Sequence, residues 1–322
     1  MRPGGQPLLA EDHGALMTSV ARMYYVDNLG QSEISGIFGI SRSTVSRLLT
    51  AARQRGIVRI TVDDYDPRDH ELEEQLVATF GLKQPVVVRV HDSNLEVTRR
   101  TVAYFAAPVL AELIHSRRSI GVSGGRTVAQ LVHFIEPQIR REQLDVVQLM
   151  GSIGSAPSSI ESSELCRALA RRYQGSFHTI NAPAYMEDQR NRDLIVSHAQ
   201  IRAVWSLLPD LEMILAGVGT LEESAIAERK VLSVSDIETL RREGVVGEIC
   251  GRYFDANGKE CNTTLRDRVI SVELDVLRKN AEVVAVISGS ARKHALRAAI
   301  KGGLIHSLVI DDMGARALLS GS

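Results

Sequence analysis

From residue 85 onward, short apolar runs alternate with stretches of helical periodicity, and this rhythm narrows the fold more than any other property of the chain. The runs are PVVVRV (85–90), SIGV (119–122), LDVVQLM (144–150), SFHTI (176–180), EMILAGVG (212–219), EVVAVISG (282–289) and SLVID (307–311). Helical patterns such as 95–116, 126–135, 161–174 and 291–301 lie between them. Strands buried on both faces read as near-continuous aliphatic runs, and parallel strands need helical crossovers. The expected fold is a doubly wound α/β domain, with no internal repeat or low-complexity tract. A chain of 322 residues has room for about two domains. The acidic, turn-prone stretch Asp63-Asp64-Tyr65-Asp66-Pro67 marks the expected boundary. Residues 1–62 then form one domain, 63–82 a linker and 83–322 the α/β domain. Within the linker, Asp69 to Phe80 reads as a helix with Leu72, Leu76 and Phe80 on one side, for use in dimerisation or in packing on its own domain.

Composition removes several classes of function. A hydrophobic share of 44% with 24% charged residues excludes wholesale disorder. No apolar stretch reaches the roughly 18 residues of a membrane span. The opening MRPGGQPLLAEDHG lacks the apolar run of a secretory signal, so a cytoplasmic location and no membrane partner are expected. Cys166, Cys250 and Cys261 are scattered without C-x-x-C spacing, which fits a reducing compartment and argues against a disulfide or zinc framework. Neither a metal site nor a cofactor is expected.

In open α/β sheets, ligands bind beyond the carboxyl ends of strands, often at a helix N-terminus. Several strands here end in small residues at that edge. Gly121-Val122-Ser123-Gly124-Gly125-Arg126-Thr127 links a strand to a helix. Its glycines let backbone approach an anion, while free N–H groups, the Ser123 and Thr127 hydroxyls and Arg126 can hold a phosphate. It is neither a P-loop nor G-x-G-x-x-G, and a glycine-rich turn is often only a turn. Gly217-Val218-Gly219-Thr220 is a second such edge, and Ser288-Gly289-Ser290-Ala291-Arg292-Lys293 a third. Lys293 falls in the first turn of its helix, where a cation is mildly unfavourable unless an anion is near. Glu248 and Asp255 can accept hydrogen bonds from sugar hydroxyls, or be ordinary exposed loop acids.

The formal net charge of -1 hides an asymmetry. Residues 1–62 hold seven Arg and four acids, an excess of three positive charges, and 41–62 hold five Arg and no acid. Such a stretch suggests a polyanion contact, although a solvated helix face is the plain alternative. Periodicity predicts helices over Leu16–Leu29, Ser32–Phe38 and Arg42–Arg55. Ser32 and Ser41 are the expected N-caps, Gly39 the tight turn, Ile34, Ile37 and Phe38 the inward face, and Gly56 the stop. The following IVRITV reads as a strand or wing. Ile34, Ser35, Gly39, Val45 and Leu48 match the helix-turn-helix offsets over Gln31–Thr50. The third helix then presents Arg42, Ser43, Thr44, Ser46 and Arg47 to the major groove of double-stranded DNA, with Arg53, Arg55 and Arg59 near phosphates. An ordinary three-helix domain used for protein contacts is the competing interpretation.

Taken together, these residues resemble the SorC family of bacterial sugar-responsive transcriptional regulators, some of which are called DeoR. ISRSTVSRLLTAARQRGIVRITV is similar to the family's recognition helix and wing, and GVSGGRTV to its first effector loop. VVQLMGSIGS, LAGVGT and GEICGRYFDANG follow in the family's order, and RVISVELDVLRKNAEVVAVISGSARKHALRAAIKGGLIHSLVIDD is the most specific match. The resemblance implies an effector domain similar to the sugar-phosphate isomerase and glucosamine-phosphate deaminase fold. It places phosphate on Ser123, Gly124, Gly125, Arg126, Thr127 and Lys293, and a sugar hydroxyl on Glu248, with Arg229 before it. Gly217 and Gly219 complete the expected effector edge. Dimers and tetramers are implied as well.

The expected function is a DNA-binding regulator of a carbohydrate-utilisation operon, controlled by noncovalent binding of a phosphorylated sugar. The alternative is a sugar-phosphate isomerase or deaminase-like enzyme with an accessory helix-turn-helix. His178, His198 and Asp188 are available for acid–base work, but the nine scattered His form no recognisable pair. A covalent imine is not expected, because no Lys lies between Lys83 and Lys230.

Overall fold

A computed structural model describes residues 10–60, 65–137, 144–154, 158–279 and 282–320. The chain divides into two compact units, Met1–Asp66 and Pro67–Ser322.

The first unit contains α1 (Ala10–Tyr25), α2 (Gln31–Phe38) and α3 (Arg42–Gln54). Met17, Val20 and Ala21 of α1, Ile34 of α2, and Val45, Leu48, Leu49 and Ala52 of α3 form its core. Ser41 caps α3 by accepting the Thr44 N–H at 3.1 Å, and Gly39 closes α2 at φ 62°. Four expectations need correction. α1 starts at Ala10 and ends at Tyr25 rather than spanning Leu16–Leu29. α2 starts at Gln31, one residue before the expected Ser32 cap, because the Glu33 carboxylate reaches back to the Gly30 N–H at 2.7 Å. Ile37 is 57% exposed and faces away from the core. Residues 57–60 of the expected wing form no strand, and 61–62 lie outside the described residues.

The second unit is built on β1 (Val86–Val88), β2 (Ser119–Val122), β3 (Asp145–Gln148), β4 (Ser176–His178), β5 (Met213–Ala216), β8 (Val283–Val286) and β9 (Ser307–Asp311). They form one seven-stranded sheet in the order β1-β9-β8-β5-β2-β3-β4, with every pair parallel. All seven coincide with the apolar runs of the sequence. A separate antiparallel hairpin, β6 (Gly247–Ile249) and β7 (Arg252–Phe254), stands where a loop was expected. Side chains alternate between two cores as strand geometry requires. Val86, Ile120, Val122, Met213, Leu215 and Val309 face α5 (Leu95–His115), α6 (Arg126–Phe134) and α7 (Ser162–Tyr173). Val87, Val147, Ile214, Ala216, Leu308 and Ile310 face the other side. That side is covered by α4 (His70–Phe80), α9 (Ala199–Trp205), α13 (Leu274–Lys279), α14 (Lys293–Lys301) and α15 (Asp312–Leu319). The expected linker helix is thus part of this unit, with Leu72 and Leu76 in its core and Phe80 packed against it. Shorter helices α8 (Gln189–Ser197), α10 (Ala225–Glu228), α11 (Val234–Arg242) and α12 (Thr264–Arg268) fill the connections.

The strand order reverses between β2 and β5: the chain leaves β2 toward β3 and β4, and leaves β5 toward β8 and β9. Connections that diverge on opposite sides open a crevice at the carboxyl ends of these two strands, the usual ligand position in such sheets.

Candidate functional site

A cleft of about 720 Å3, its open mouth included, occupies that crevice. Ser123 to Thr127 line it after β2, Gly217 to Gly219 after β5, Ile287 after β8, and Glu248, Cys250 and Gly251 from the hairpin. Eight of the residues expected from the sequence therefore come together: Ser123, Gly124, Gly125, Arg126, Thr127, Gly217, Gly219 and Glu248.

Local geometry explains the glycines. Gly125 precedes α6 at φ 135°, a region that disfavours side chains, and no side chain caps this helix. A Cβ on Gly124 would meet the Ile160 carbonyl oxygen at 2.9 Å and the Ser162 nitrogen at 3.2 Å. The turn is therefore bare backbone leading into a helix N-terminus, which favours an anion. Ser123 secures it: its buried Oγ accepts the Gly217 N–H at 3.1 Å and so ties the ends of β2 and β5. Thr127 Oγ1 lies 3.3 Å from Ser288 Oγ, joining α6 to the end of β8. Both hydroxyls thus have structural partners within the loop framework.

Glu248 is buried, not an exposed loop acid. Gly219 and Glu248 exchange both backbone hydrogen bonds at 2.9 Å, and a Cβ on Gly219 would meet the Ser224 Cβ at 2.6 Å. The Glu248 carboxylate accepts the Gly251 N–H at 3.0 Å. Burial pushes its carboxyl from an ordinary 4.5 up to about 7, against the opposing pull of the Gly251 hydrogen bond and the Arg292 charge.

Two arginines not expected from the sequence, Arg99 and Arg292, join Arg126 at the cleft. Arg99, on α5, is buried and lines the cleft; its Nη1 meets Glu96 at 2.8 Å, while Nη2 is buried without a hydrogen-bond partner. Arg292 precedes α14 and pairs with Glu223 at 3.0 Å. Burial pushes the Arg292 guanidinium down; Glu223 and Glu248 oppose this, while the Arg99 and Arg126 charges add to it. Arg126 pairs with Glu228 at 2.5 Å.

Three expected effector residues lie elsewhere. Lys293 opens α14 but is not among the lining residues; one step of helix phase gives the cleft to Arg292 instead. Arg229 donates to the Ile153 carbonyl at 2.5 Å and pairs with Glu161 at 3.0 Å, bracing the wall. Asp255 accepts the Asn257 and Lys259 N–H groups at 2.8 and 3.0 Å and shapes the turn after β7. No lysine or histidine is among the lining residues, and no group of His, Cys, Asp or Glu among the described residues could hold a metal.

In the first unit, Arg42, Ser43, Ser46 and Arg47 are exposed on α3 and Thr44 is half-buried. The Ser43 and Thr44 hydroxyls each sit 2.8 Å from the Ser41 cap, and Arg47 donates to Thr44 at 3.3 Å. The first turns of α3 therefore carry linked Ser43, Thr44 and Arg47 side chains beside the exposed Arg42. Among the described residues, no helix is long and apolar enough to cross a membrane.

The sugar-binding domain model of the Sugar-bind family matches residues 67–320. The chain is 28% identical over 309 residues to the deoxyribonucleoside regulator of Bacillus subtilis (strain 168), covering 95% of this chain and 97% of that protein. The full-length sorbitol operon regulator SorC from Klebsiella pneumoniae has a similar crystal structure, with a TM-score of 0.76 at 27% identity over 95% of this chain and 98% of that one. A DeoR family transcriptional regulator from Listeria monocytogenes gives a TM-score of 0.72 at 30% identity, over 77% of this chain and 98% of that one. Together with the cleft at the β2–β5 divide, these likenesses place the protein: it belongs to the Sugar-bind family, among the SorC- and DeoR-type bacterial transcriptional regulators.

Proposed function

We propose that the protein regulates a carbohydrate-utilisation operon by binding operator DNA through its first unit and a phosphorylated sugar through its second. α2 and α3 act as a helix-turn-helix, with Arg42, Ser43, Thr44, Ser46 and Arg47 reading the major groove. The observation that carries the effector reading is the uncapped N-terminus of α6 behind the Gly124-Gly125 backbone, flanked by Arg126 and Arg292 in one cleft. Phosphate docks there, and Glu248 takes a sugar hydroxyl deeper in. The folding pattern is similar to that of sugar-phosphate isomerases and deaminases, and the protein acts as a cytoplasmic dimer or tetramer that places paired α3 helices on spaced half-sites.

Binding is noncovalent, since no lysine lines the cleft to form an imine. Glu248, with a carboxyl pushed to about 7, resembles a general acid–base group. Glu223 and Glu228 pair with Arg292 and Arg126 at partly exposed positions, so neither matches the buried Glu248 as a second acid–base group, and the ligand leaves unchanged. A thermal-shift screen of sugar phosphates on the full chain tests this reading, because a bound ligand raises stability in proportion to the logarithm of its concentration. A stabilising sugar phosphate recovered unaltered is the expected result. Turnover, or no stabilisation by any phosphorylated sugar, contradicts it.

A further inference from the structure

Arg99, Arg126 and Arg292 reach the cleft from α5, α6 and the start of α14. Two of them are held by carboxylates carried on one short stretch after β5. Glu228 holds Arg126 at 2.5 Å and Glu223 holds Arg292 at 3.0 Å. The third is different. The Arg99 side chain is only 5% exposed, and its Nη2 is buried without an acceptor although Nη1 has Glu96. A buried guanidinium nitrogen left without a partner is expensive, and protein interiors seldom retain one without reason. Its position on the cleft wall matches an acceptor supplied by a ligand.

We propose that Arg99 anchors the ligand's phosphate, and that Glu223 and Glu228 compete with this phosphate for Arg292 and Arg126. Binding then exchanges two carboxylates for one phosphate and detaches the stretch 220–228 from the cleft. This inference rests on the phosphate reading of the cleft given above. A phosphate dianion brings three acceptor oxygens to guanidinium forks and satisfies them better than a single carboxylate. The competing side chains leave easily: Glu223 and Glu228 are 42% and 37% exposed, so moving fully into water changes their solvation little. The stretch itself is lightly held, since α10 is a single turn whose buried residue is Ile226. Glu248 is buried beside it and stays in place. Exchange therefore converts occupancy of the cleft into movement of a surface segment, the kind of differential contact that an effector response requires.

The test uses the full chain with inorganic phosphate as probe, by calorimetric titration and by amide hydrogen exchange. Glu223→Gln and Glu228→Gln are each expected to tighten phosphate binding about twofold to fivefold, the range set by a half-exposed ion pair. Arg99→Lys and Arg99→Met are expected to weaken it at least about tenfold, as loss of a charged hydrogen bond in a buried site does. Phosphate is expected to slow exchange at residues 123–127 while accelerating it at 220–229. The glutamine variants alter partly exposed positions, so the test stands even where an Arg99 variant folds poorly. Unchanged or weaker phosphate binding in both glutamine variants, or protection of 220–229 by phosphate, overturns the exchange and leaves the phosphate site standing. No phosphate binding by the wild type or any variant overturns both.

Discussion

Replacing Glu248 with Gln isolates the electrostatic strain that the cleft carries. The carboxyl is buried, and its pKa rises from 4.5 to about 7. The folded chain therefore holds this proton more tightly than the unfolded chain does. The resulting stability is fully present below about pH 4.5 and is lost as pH rises through about 7. A rise of about 2.5 units at about 1.4 kcal/mol each corresponds to about 3 kcal/mol at pH 8.5. Glutamine keeps an oxygen for the Gly251 N–H and removes the charge. Glu248→Gln is thus expected to be more stable than wild type by about 3 kcal/mol at pH 8.5 and by less than about 1 kcal/mol at pH 5. Urea unfolding of the second unit at both pH values measures this directly; in heat, the difference corresponds to a shift of about 6–12 °C at the higher pH. An equal difference at both pH values, or a less stable glutamine variant at pH 8.5, refutes the assignment of Glu248 as a desolvated carboxyl.

Other substitutions separate binding from scaffolding. Gly124→Val drives a side chain into the Ile160 carbonyl, 2.9 Å from the Cβ position, and is expected to cost about 1–3 kcal/mol and abolish stabilisation by sugar phosphate in a thermal-shift titration. Asp255→Ala removes the carboxylate that accepts from two backbone N–H groups and is expected to lower stability by about 1–2 kcal/mol, with sugar-phosphate affinity unchanged in calorimetry. Arg292→Met is expected to weaken sugar-phosphate binding at least about tenfold and Lys293→Met less than about threefold, since Arg292 alone of the two lines the cleft. Equal losses return the phosphate role to Lys293.

Six of the seven strands were legible because they are largely buried and write near-continuous apolar runs; the edge strand β4, with Ser176 and Phe177 exposed, carries no such run. The glycine loops were legible because the strand ends they follow were. The hairpin that carries Glu248 left no such signal. Its turn is Cys250-Gly251, and Cys250 adopts φ 52°, a conformation usually marked by Asn or Gly. From its own residues Glu248 thus read more readily as an exposed loop acid. Arg292 was missed for a different reason: the helix was expected from residue 291, with Lys293 in its first turn and matching the lysine that the family resemblance implies, whereas α14 begins at Lys293 and Arg292 is the residue that lines the cleft. Arg99 did leave a trace. It falls three residues before Val102 and seven before Ala106, on the apolar stripe of α5, where a charged side chain is out of place unless something receives it. Asp255 and Arg229 carry the right chemistry for a ligand, but nearby backbone groups already occupy them, and that is a property of folded contacts.

Control of DNA binding by a sugar phosphate is the central claim, and fluorescence anisotropy on the DNA upstream of the protein's own gene cluster tests it most directly. The full chain is expected to bind that DNA selectively over scrambled sequence, with an affinity that falls steeply with salt and changes when a stabilising sugar phosphate is added. Arg42→Ala and Arg47→Ala should abolish the selectivity. DNA affinity that stays the same with and without a sugar phosphate known to occupy the cleft, or that ignores sequence, contradicts the account.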